Sequence, residues 1–275
     1  MVFELTKYPN NINAFYNLIH RSLYFTKKMK QKRYLESMNL GQYHGKGYMG
    51  LANLGNTCFL NSCLQVLNHV YELNEIFFVK KYHKRISPGT PAYKTKKMEI
   101  QFVNEWTELQ QLLWKDQENR GGAVSPNKFI SYVQYLARIK GCELFTGWAQ
   151  NDMPEFLLFM IDTMHNSICR PVKMQITGTQ KTNMDEMAIE SYKVLQTVYE
   201  KEYSEILDMF YGIYVSELKS VVTNTVMLSR PENFFILDLP IPTNTNDISI
   251  YDCFNLFTQY ELLEGENAWY NEKTQ

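Results

Sequence analysis

The chain has 275 residues, of which 45% are hydrophobic and 14% aromatic, and its formal net charge is −1. This composition is typical of a globular protein with a sizeable core and excludes a disordered chain. No stretch approaches the ~18 consecutive apolar residues of a membrane span, and the first residues lack the apolar run of a secretory signal. We therefore expect neither membrane insertion nor secretion, and predict an intracellular protein of the cytoplasm or nucleus.

The first 47 residues are basic. They hold eight Lys or Arg against two Glu, a net charge of +6, which leaves −7 for the remainder of the chain. Such a segment can contact nucleic acid or an acidic membrane, but a solvated helix face explains the charge as well. Because no recognition motif accompanies it, we predict no nucleic-acid or membrane partner and interpret residues 1–47 as an N-terminal extension with short helices.

The five cysteines of the chain indicate a reducing compartment. They are Cys58, Cys63, Cys142, Cys169 and Cys253. Their number is odd, they are widely scattered, and none belongs to a C-x-x-C pair. This pattern argues against a disulfide framework and against a zinc site. We predict no bound metal and no cofactor.

One cysteine, Cys58, lies at the start of an amphipathic helix predicted over about Thr57 to Tyr71. A thiol there lies among unpaired backbone N–H groups at the positive end of the helix dipole, which favours the nucleophilic thiolate. The alternative is a buried, inert thiol. The preceding turn favours reactivity, because Gly50 and Gly55 allow a sharp bend and the Asn53 amide is placed to donate to a developing oxyanion.

Further helices and a small sheet are predicted downstream. Cys63, on the apolar stripe of the first helix, is predicted to belong to the core. Apolar residues at helical spacing indicate helices that begin near Lys97, after Ser125-Pro126, and over about Ile189 to Phe210. The pattern then changes to period two, which indicates antiparallel strands at 211–218, 221–228 and 233–239, before a capped helix opens at Ser249.

A second polar group stands at the start of the segment from Gln150 to His165. Asp152 is placed to cap a helix, and Glu155, three residues later, is placed to complete a capping box. Taken alone, this pattern predicts only a good helix start, so a purely structural cap is one interpretation of Asp152.

These segments resemble the ubiquitin-specific proteases, a family of papain-like cysteine deubiquitinases. The resemblance rests on Gly50-Leu51, 53–58 and Asn61-Ser62, which are similar to the family's cysteine box, and on 150–165, which is similar to its second box with Asn151 replacing a glutamine. It implies a papain-like α+β fold with a helical thumb followed by antiparallel fingers strands. Residues 1–47 would be the extension, 48–209 the thumb and 210–275 an incomplete fingers-like β region, with the palm largely missing.

The resemblance also implies roles for four side chains. Cys58 is the nucleophile, Asn53 is the oxyanion donor, and Gln150 and Asp152 border the cleft, where Asp152 receives backbone N–H groups of the substrate tail. The implied activity is hydrolysis of the bond after the C-terminal glycine of ubiquitin in conjugates. Ubiquitin and ubiquitinated proteins are therefore the expected partners, and a partner chain is expected to cover the missing palm.

Two parts of the family pattern do not occur in this sequence. At the zinc-binding positions of the fingers the chain has Ser220, Thr223, Asn271 and Thr274, none of which is a suitable zinc ligand. The histidine box that supplies the general base is also missing. His69 lies about 16 Å along the helix axis from Cys58, outside hydrogen-bond reach, and no supporting motif accompanies His20, His44, His83 or His165.

Two alternatives to an active enzyme therefore stay open. One is a catalytically inactive ubiquitin-binding remnant that keeps the cleft without a general base. The other is a helical interaction domain unrelated to ubiquitin, which the two boxes and the fingers-like pattern disfavour.

Overall fold

The computed structural model describes residues 2–4, 40–78, 82–115, 122–243, 247–264 and 266. The helices predicted in the N-terminal extension lie outside these ranges. The chain divides into two compact units, one ending at Phe235 and one beginning at Ile236. The division proposed from the sequence, at 47/48 and 209/210, stays a prediction.

The described part of the first unit is mostly helical. Its helices are α1 (Cys58–Asn68), α2 (Tyr71–Phe77), α3 (Pro91–Thr95), α4 (Lys97–Leu113), α5 (Asn127–Lys140), α6 (Met153–Ile168), α7 (Asn183–Glu202) and α8 (Glu205–Phe210). Short 3-10 turns occur at Leu40–Tyr43, His83–Arg85 and Glu143–Phe145.

Small two-stranded sheets accompany these helices. Strand β1 (Val2–Glu4) pairs in parallel with β4 (Gln175–Thr177), and β2 (Gly50–Leu51) pairs in parallel with β3 (Ala123–Val124). Strands β5 (Gly212–Lys219) and β6 (Val226–Phe234) form an antiparallel hairpin. The predicted α+β class is confirmed.

The core of the first unit lies where α1, α4, α5 and α6 meet. Helix α4 packs against both α5 and α6, and α1 packs against α6. Phe102, Trp106 and Leu113 of α4 are fully buried, as their helical spacing predicts. Burying one such side chain stabilises a fold by about 1.5–3 kcal/mol, so this layer gives α1 a firm support.

The first helix ends earlier than predicted. Helix α1 stops at Asn68, and α2 begins only at Tyr71. The break is stabilised by buried hydrogen bonds, because Asn68 Oδ1 accepts from Trp114 Nε1 at 2.7 Å and Asn68 O accepts from Asn74 Nδ2 at 2.7 Å. One of these partners lies far away in the chain, so the periodicity of the segment does not reveal the break.

The helix predicted over Ile189 to Phe210 is also two helices. Helix α7 ends at Glu202, and Ser204 caps α8 by accepting a hydrogen bond from Leu207 N at 3.2 Å. Tyr203, between them, has an extended backbone whose carbonyl accepts from Arg170 N at 2.9 Å. The apolar spacing continues through the break because both helices pack in the same unit.

The hairpin confirms the strand predicted at 211–218. The strand predicted at 221–228 is shifted, because residues 221–225 belong to the turn and the second strand begins only at Val226. Strand β6 already takes in residues 226–234 and pairs along its length with β5, and residues 235–239 belong to no strand. A strand needs a hydrogen-bonding neighbour, and this run has none in the described residues. The separate third strand at 233–239 is therefore wrong.

The second unit contains α9 (Ile250–Phe257). Ser249 Oγ accepts from Asp252 N at 3.3 Å, and Asp252 Oδ2 accepts from Ser249 N at 2.9 Å, which is the predicted capped start. Across the described ranges of both units, none of the helices has the length and hydropathy to cross a membrane.

Candidate active site

Cys58 is the first residue of α1, and its side chain is exposed. The backbone ahead of it forms a tight turn in which Gly55 (φ 96°) and Asn56 (φ 53°) both adopt left-handed conformations. Glycine adopts this conformation freely, and asparagine does so more readily than most side chains. The sharp bend predicted before the thiol is present.

The side chain of Asn53 holds this turn together. Its Oδ1 accepts hydrogen bonds from Gly55 N at 3.1 Å, Thr57 N at 3.3 Å and Thr57 Oγ1 at 2.9 Å. Thr57 Oγ1 in turn accepts from Leu54 N at 3.1 Å. Asn53 is exposed, and its Nδ2 makes no hydrogen bond within the described residues. The structure thus fixes the amide oxygen and leaves the amide donor available.

Helix α1 is anchored along its length. Gln65 Nε2 donates to Met49 O at 2.9 Å and Asn61 Nδ2 donates to Ala52 O at 3.2 Å, which ties the segment before the turn to the side of the helix. On the buried side, Cys63 is 2% exposed, and burial raises the pKa of its thiol to about 11. The prediction that Cys63 belongs to the core is confirmed.

Gln150 and Asp152 lie in an irregular loop before α6, and both are exposed. Asp152 occupies the N-cap position of α6, but its side chain makes no cap hydrogen bond, so the predicted capping box with Glu155 is wrong. One of the two donors that an N-cap side chain uses is missing, because the second helical residue is Pro154, which has no backbone N–H. The Asp152 carboxylate is free of the helix.

A small cleft lies between the turn before Cys58 and this loop. Its walls include Gly55, Asn56 and Thr57 on one side and Gly147, Trp148 and Asn151 on the other. Asn56 Nδ2 donates to Trp148 O at 3.2 Å and joins the two walls. The lining also includes Phe59, whose ring contacts those of Phe145 and Phe156 with centroid distances of 6.4 and 5.4 Å. The structure therefore brings parts of both sequence boxes to one cleft. None of the four predicted site residues is in its lining, but Cys58 and Asn53 are chain neighbours of one wall and Gln150 and Asp152 of the other.

The cleft also shows residues that the sequence argument did not single out. Asn56 belongs to the cysteine-box resemblance but has no role of its own in it, and Trp148, which is 51% exposed and lines the cleft, precedes the second box. A large aromatic two residues before Gln150 is a usable signal in the sequence. The hydrogen bond between Asn56 and Trp148 cannot be inferred from the sequence, because the two residues are 92 positions apart.

The histidines at the far end of α1 do not reach the thiol. His69 lies just beyond the last residue of α1, where its ring contacts that of Trp114 at 5.4 Å. Tyr43 contacts the same indole at 5.0 Å, which places the adjacent His44 at this end of the helix as well. Within the described residues, Cys58 makes no hydrogen bond with a histidine.

His165 has a structural environment. It is buried, its Nδ1 lies 2.8 Å from Ser204 Oγ, and burial lowers its pKa. The neutral imidazole joins α6 to the cap of α8, which is a structural role. His20 lies outside the described residues.

The first pair of positions compared with zinc ligands lies in the turn of the hairpin. Thr223 N donates there to Ser220 Oγ at 3.2 Å, so these side chains stabilise the turn itself. Where side chains are described, no group of three or more His, Cys, Asp or Glu is arranged to hold a metal ion. Asn271 and Thr274 lie outside the described part of the chain.

Comparison with known proteins decides the family. The model of the family described as "Ubiquitin carboxyl-terminal hydrolase" matches residues 49–253. The chain belongs to this family. Both sides of the cleft, from the Cys58 turn to the loop of Asp152, fall inside the matched region, and the resemblance to the ubiquitin-specific proteases is confirmed.

Curated members of the family share about 30% of their residues with the chain. It is 32% identical over 227 residues to "Ubiquitin carboxyl-terminal hydrolase 2" of Bos taurus, covering 80% of this chain and 34% of that protein. It is 29% identical over 235 residues to "Ubiquitin carboxyl-terminal hydrolase 4" of Saccharomyces cerevisiae, covering 80% of this chain and 24% of that protein. The chain therefore spans about a third or less of these relatives.

A solved structure confirms the fold. A chain in "Structure of the SAGA Ubp8/Sgf11/Sus1/Sgf73 DUB module bound to ubiquitin aldehyde" superposes with a TM-score of 0.52 at 20% sequence identity. The match covers 96% of this chain and 48% of that one. The family's catalytic-domain fold is thus present over the matched part.

Proposed function

We propose that the chain forms the thumb and part of the fingers of a papain-like cysteine deubiquitinase. The proposed activity is hydrolysis of the bond after the C-terminal glycine of ubiquitin in conjugates. The observation that carries this proposal is the turn before α1, in which Asn53 Oδ1 is held by Gly55 and Thr57 while its Nδ2 stays available near an exposed Cys58. An inert structural cysteine does not need such a donor.

In the proposed reaction, the Cys58 thiolate attacks the carbonyl carbon of the terminal glycine. A bond forms between sulfur and carbon, the carbonyl electron pair moves to oxygen, and Asn53 Nδ2–H donates to the resulting oxyanion. When the tetrahedral species collapses, the carbon–nitrogen bond breaks and the amine leaves with a proton. Water then hydrolyses the thioester and restores the thiol.

Gln150 and Asp152 form the substrate-binding edge of this proposal. The exposed Asp152 carboxylate makes no cap bond to α6, so it is available to accept backbone N–H donors of an extended tail. Hydrogen bonds to a charged acceptor are worth about 1.5–3 kcal/mol each. This edge therefore contributes to tail binding, whereas the turn of Cys58 contributes to bond cleavage.

The proton transfers require a histidine oriented by a third group. Because no described histidine is bonded to Cys58, we assign the base to a part of the protein outside the described residues. The same observation favours a second candidate function, a ubiquitin-binding domain without hydrolase activity.

The hairpin supports a partner for the fingers-like region. Val221 and Val222 at its tip are 80% and 94% exposed. Neighbouring exposed apolar side chains are commonly covered by another protein surface. We propose that ubiquitin, or a partner chain that takes the place of the palm, covers this region.

A ubiquitin-based fluorogenic substrate separates the two candidate functions. The wild-type chain, Cys58→Ala and the control Cys142→Ala should be compared, since Cys142 is also partly accessible. Turnover that is lost only in Cys58→Ala supports the hydrolase. No turnover together with calorimetric ubiquitin binding supports the binding domain, and the absence of both rejects the two proposals.

A further inference from the structure

The loop that leads to Gln150 is held by side chains rather than by secondary structure. Residues 146–149, which we call the clamped loop, are irregular, and each of their four consecutive carbonyls accepts a side-chain hydrogen bond. The donor–acceptor pairs are Arg138 to Thr146 O at 2.9 Å, Gln134 to Gly147 O at 2.9 Å, Asn56 to Trp148 O at 3.2 Å and Asn151 to Ala149 O at 3.1 Å. This succession fixes a segment that helix or sheet bonds do not fix.

Asn56 differs from the other three donors in where it comes from. Arg138 and Gln134 belong to α5, and Asn151 belongs to the same loop. Asn56 comes from the turn that carries Cys58, so its hydrogen bond spans the mouth of the cleft. It is thus the member of the set that joins the clamped loop to the proposed nucleophile.

We propose that Asn56 is a positioning residue that sets the distance between Cys58 and the substrate-binding edge of Gln150 and Asp152. This inference rests on the proposed function. A tail held by Asp152 must present its last carbonyl to Cys58 Sγ in an attacking geometry, and a misplacement of about 1 Å is enough to reduce a reaction rate strongly. The bond from Asn56 Nδ2 to Trp148 O fixes this spacing at the mouth of the cleft.

Other contacts between the same segments do not depend on Asn56. The ring contacts of Phe59 with Phe145 and Phe156, which also line the cleft, join α1 to the 3-10 turn before the clamped loop and to α6. Loss of the Asn56 donor therefore shifts the mouth of the cleft while this ring packing stays intact. We expect a defect in the reaction with ubiquitin and no matching defect in stability.

The chain offers a matched control for this substitution. Asn56 (φ 53°) and Asn224 (φ 52°) are the non-glycine residues with positive φ in the described part of the chain. Asn224 lies in the hairpin turn, where its backbone N donates to Ser220 O at 2.8 Å. The changes Asn56→Asp and Asn224→Asp impose the same backbone demand, but only the first places a carboxylate oxygen against the Trp148 carbonyl.

The experiment measures alkylation of Cys58 by two electrophiles at pH of about 8, where thiols react directly. One is iodoacetamide, and the other is ubiquitin with a C-terminal vinyl methyl ester, for which kinact and KI are determined separately; Cys58→Ser identifies the labelled site. For Asn56→Asp we expect kinact with the ubiquitin probe to fall about tenfold. The iodoacetamide rate and the thermal midpoint should match those of Asn224→Asp.

Three results would overturn the positioning role. The first is an Asn56→Asp variant that reacts with the ubiquitin probe as fast as wild type. The second is an equal loss of rate with both electrophiles, which would indicate collapse of the turn. The third, a wild-type chain that reacts with iodoacetamide but not with the ubiquitin probe, would reject the proposed function as well.

Discussion

The change Asn53→Asp tests the oxyanion role of Asn53 apart from its structural role. Aspartate keeps an acceptor oxygen for Gly55 N, Thr57 N and Thr57 Oγ1, the three donors that Asn53 Oδ1 now serves. It replaces the Nδ2–H donor by an oxygen and adds a negative charge, both of which oppose the oxyanion. The loss of one oxyanion donor costs about 2.7–4 kcal/mol, or about 10²- to 10³-fold. Asn53→Ala removes the acceptor too, and three bonds at about 1 kcal/mol each predict an additional loss of about 3 kcal/mol in unfolding free energy.

The assay compares binding of two ubiquitin derivatives by calorimetry. Ubiquitin aldehyde adds the Cys58 thiol and places an oxygen where the oxyanion forms, whereas ubiquitin with a C-terminal amide is neutral and does not react. We expect Asn53→Asp to weaken aldehyde binding by about 10²- to 10³-fold and to leave amide binding and the urea midpoint of unfolding near wild type. Unchanged aldehyde binding in Asn53→Asp would refute the assignment of Nδ2 as the oxyanion donor.

Three further predictions concern binding, packing and pH. Asp152→Asn should weaken binding of ubiquitin amide by about tenfold, which corresponds to one charged hydrogen bond. The thermal midpoint should not fall, because Asp152 makes no cap bond. A lower midpoint would instead indicate a capping role. Gly47→Ala should destabilise the fold by about 2–4 kcal/mol in urea denaturation, because the added Cβ meets the Trp114 ring at 2.7 Å. In the control Gly45→Ala, also at positive φ, the added Cβ meets nothing within 4 Å. Equal losses of unfolding free energy in the two variants would contradict the steric explanation. Burial lowers the pKa of His165 below its ordinary 6.5, so the unfolded chain binds the proton more readily and stability should fall as pH drops below about 6.5. In a pH series of unfolding free energies, His165→Gln should flatten this decline. An unchanged slope would count against His165 as its cause.

Elements with strong local signals were predictable from the sequence. The start of α1 follows from the glycine turn ahead of an apolar stripe, and the capped start of α9 follows from Ser249 and Asp252. The end of α1 was not predictable, because the bonds that stop it at Asn68 involve Trp114, a distant residue. Tertiary contacts override local periodicity at such breaks.

The same distinction applies to the candidate site. The exposed Cys58 was predictable because the features that favour its reactivity are adjacent in sequence. The free Asp152 carboxylate was not, since the capping-box pattern favours a bonded side chain and only the structure shows that the bond is not made. The hydrogen bonds to the four carbonyls of residues 146–149 come from side chains of three separate segments. No sequence pattern predicts that arrangement.

The candidate active site depends on both local and long-range structure. Cys58 and Asn53 lie on one continuous turn closed by its own hydrogen bonds, so their relative position depends little on the remainder of the fold. The loop of Asp152 is held near this turn by long-range contacts, namely the packing of α1 on α6 and the bond from Asn56 to Trp148. Substitution of Asn53 should therefore act on bond cleavage, whereas substitution of Asn56 should act on how productively a bound tail meets the thiol. Because these effects appear in different measured quantities, aldehyde affinity for the first and kinact for the second, the two contributions can be separated even before the general base is located.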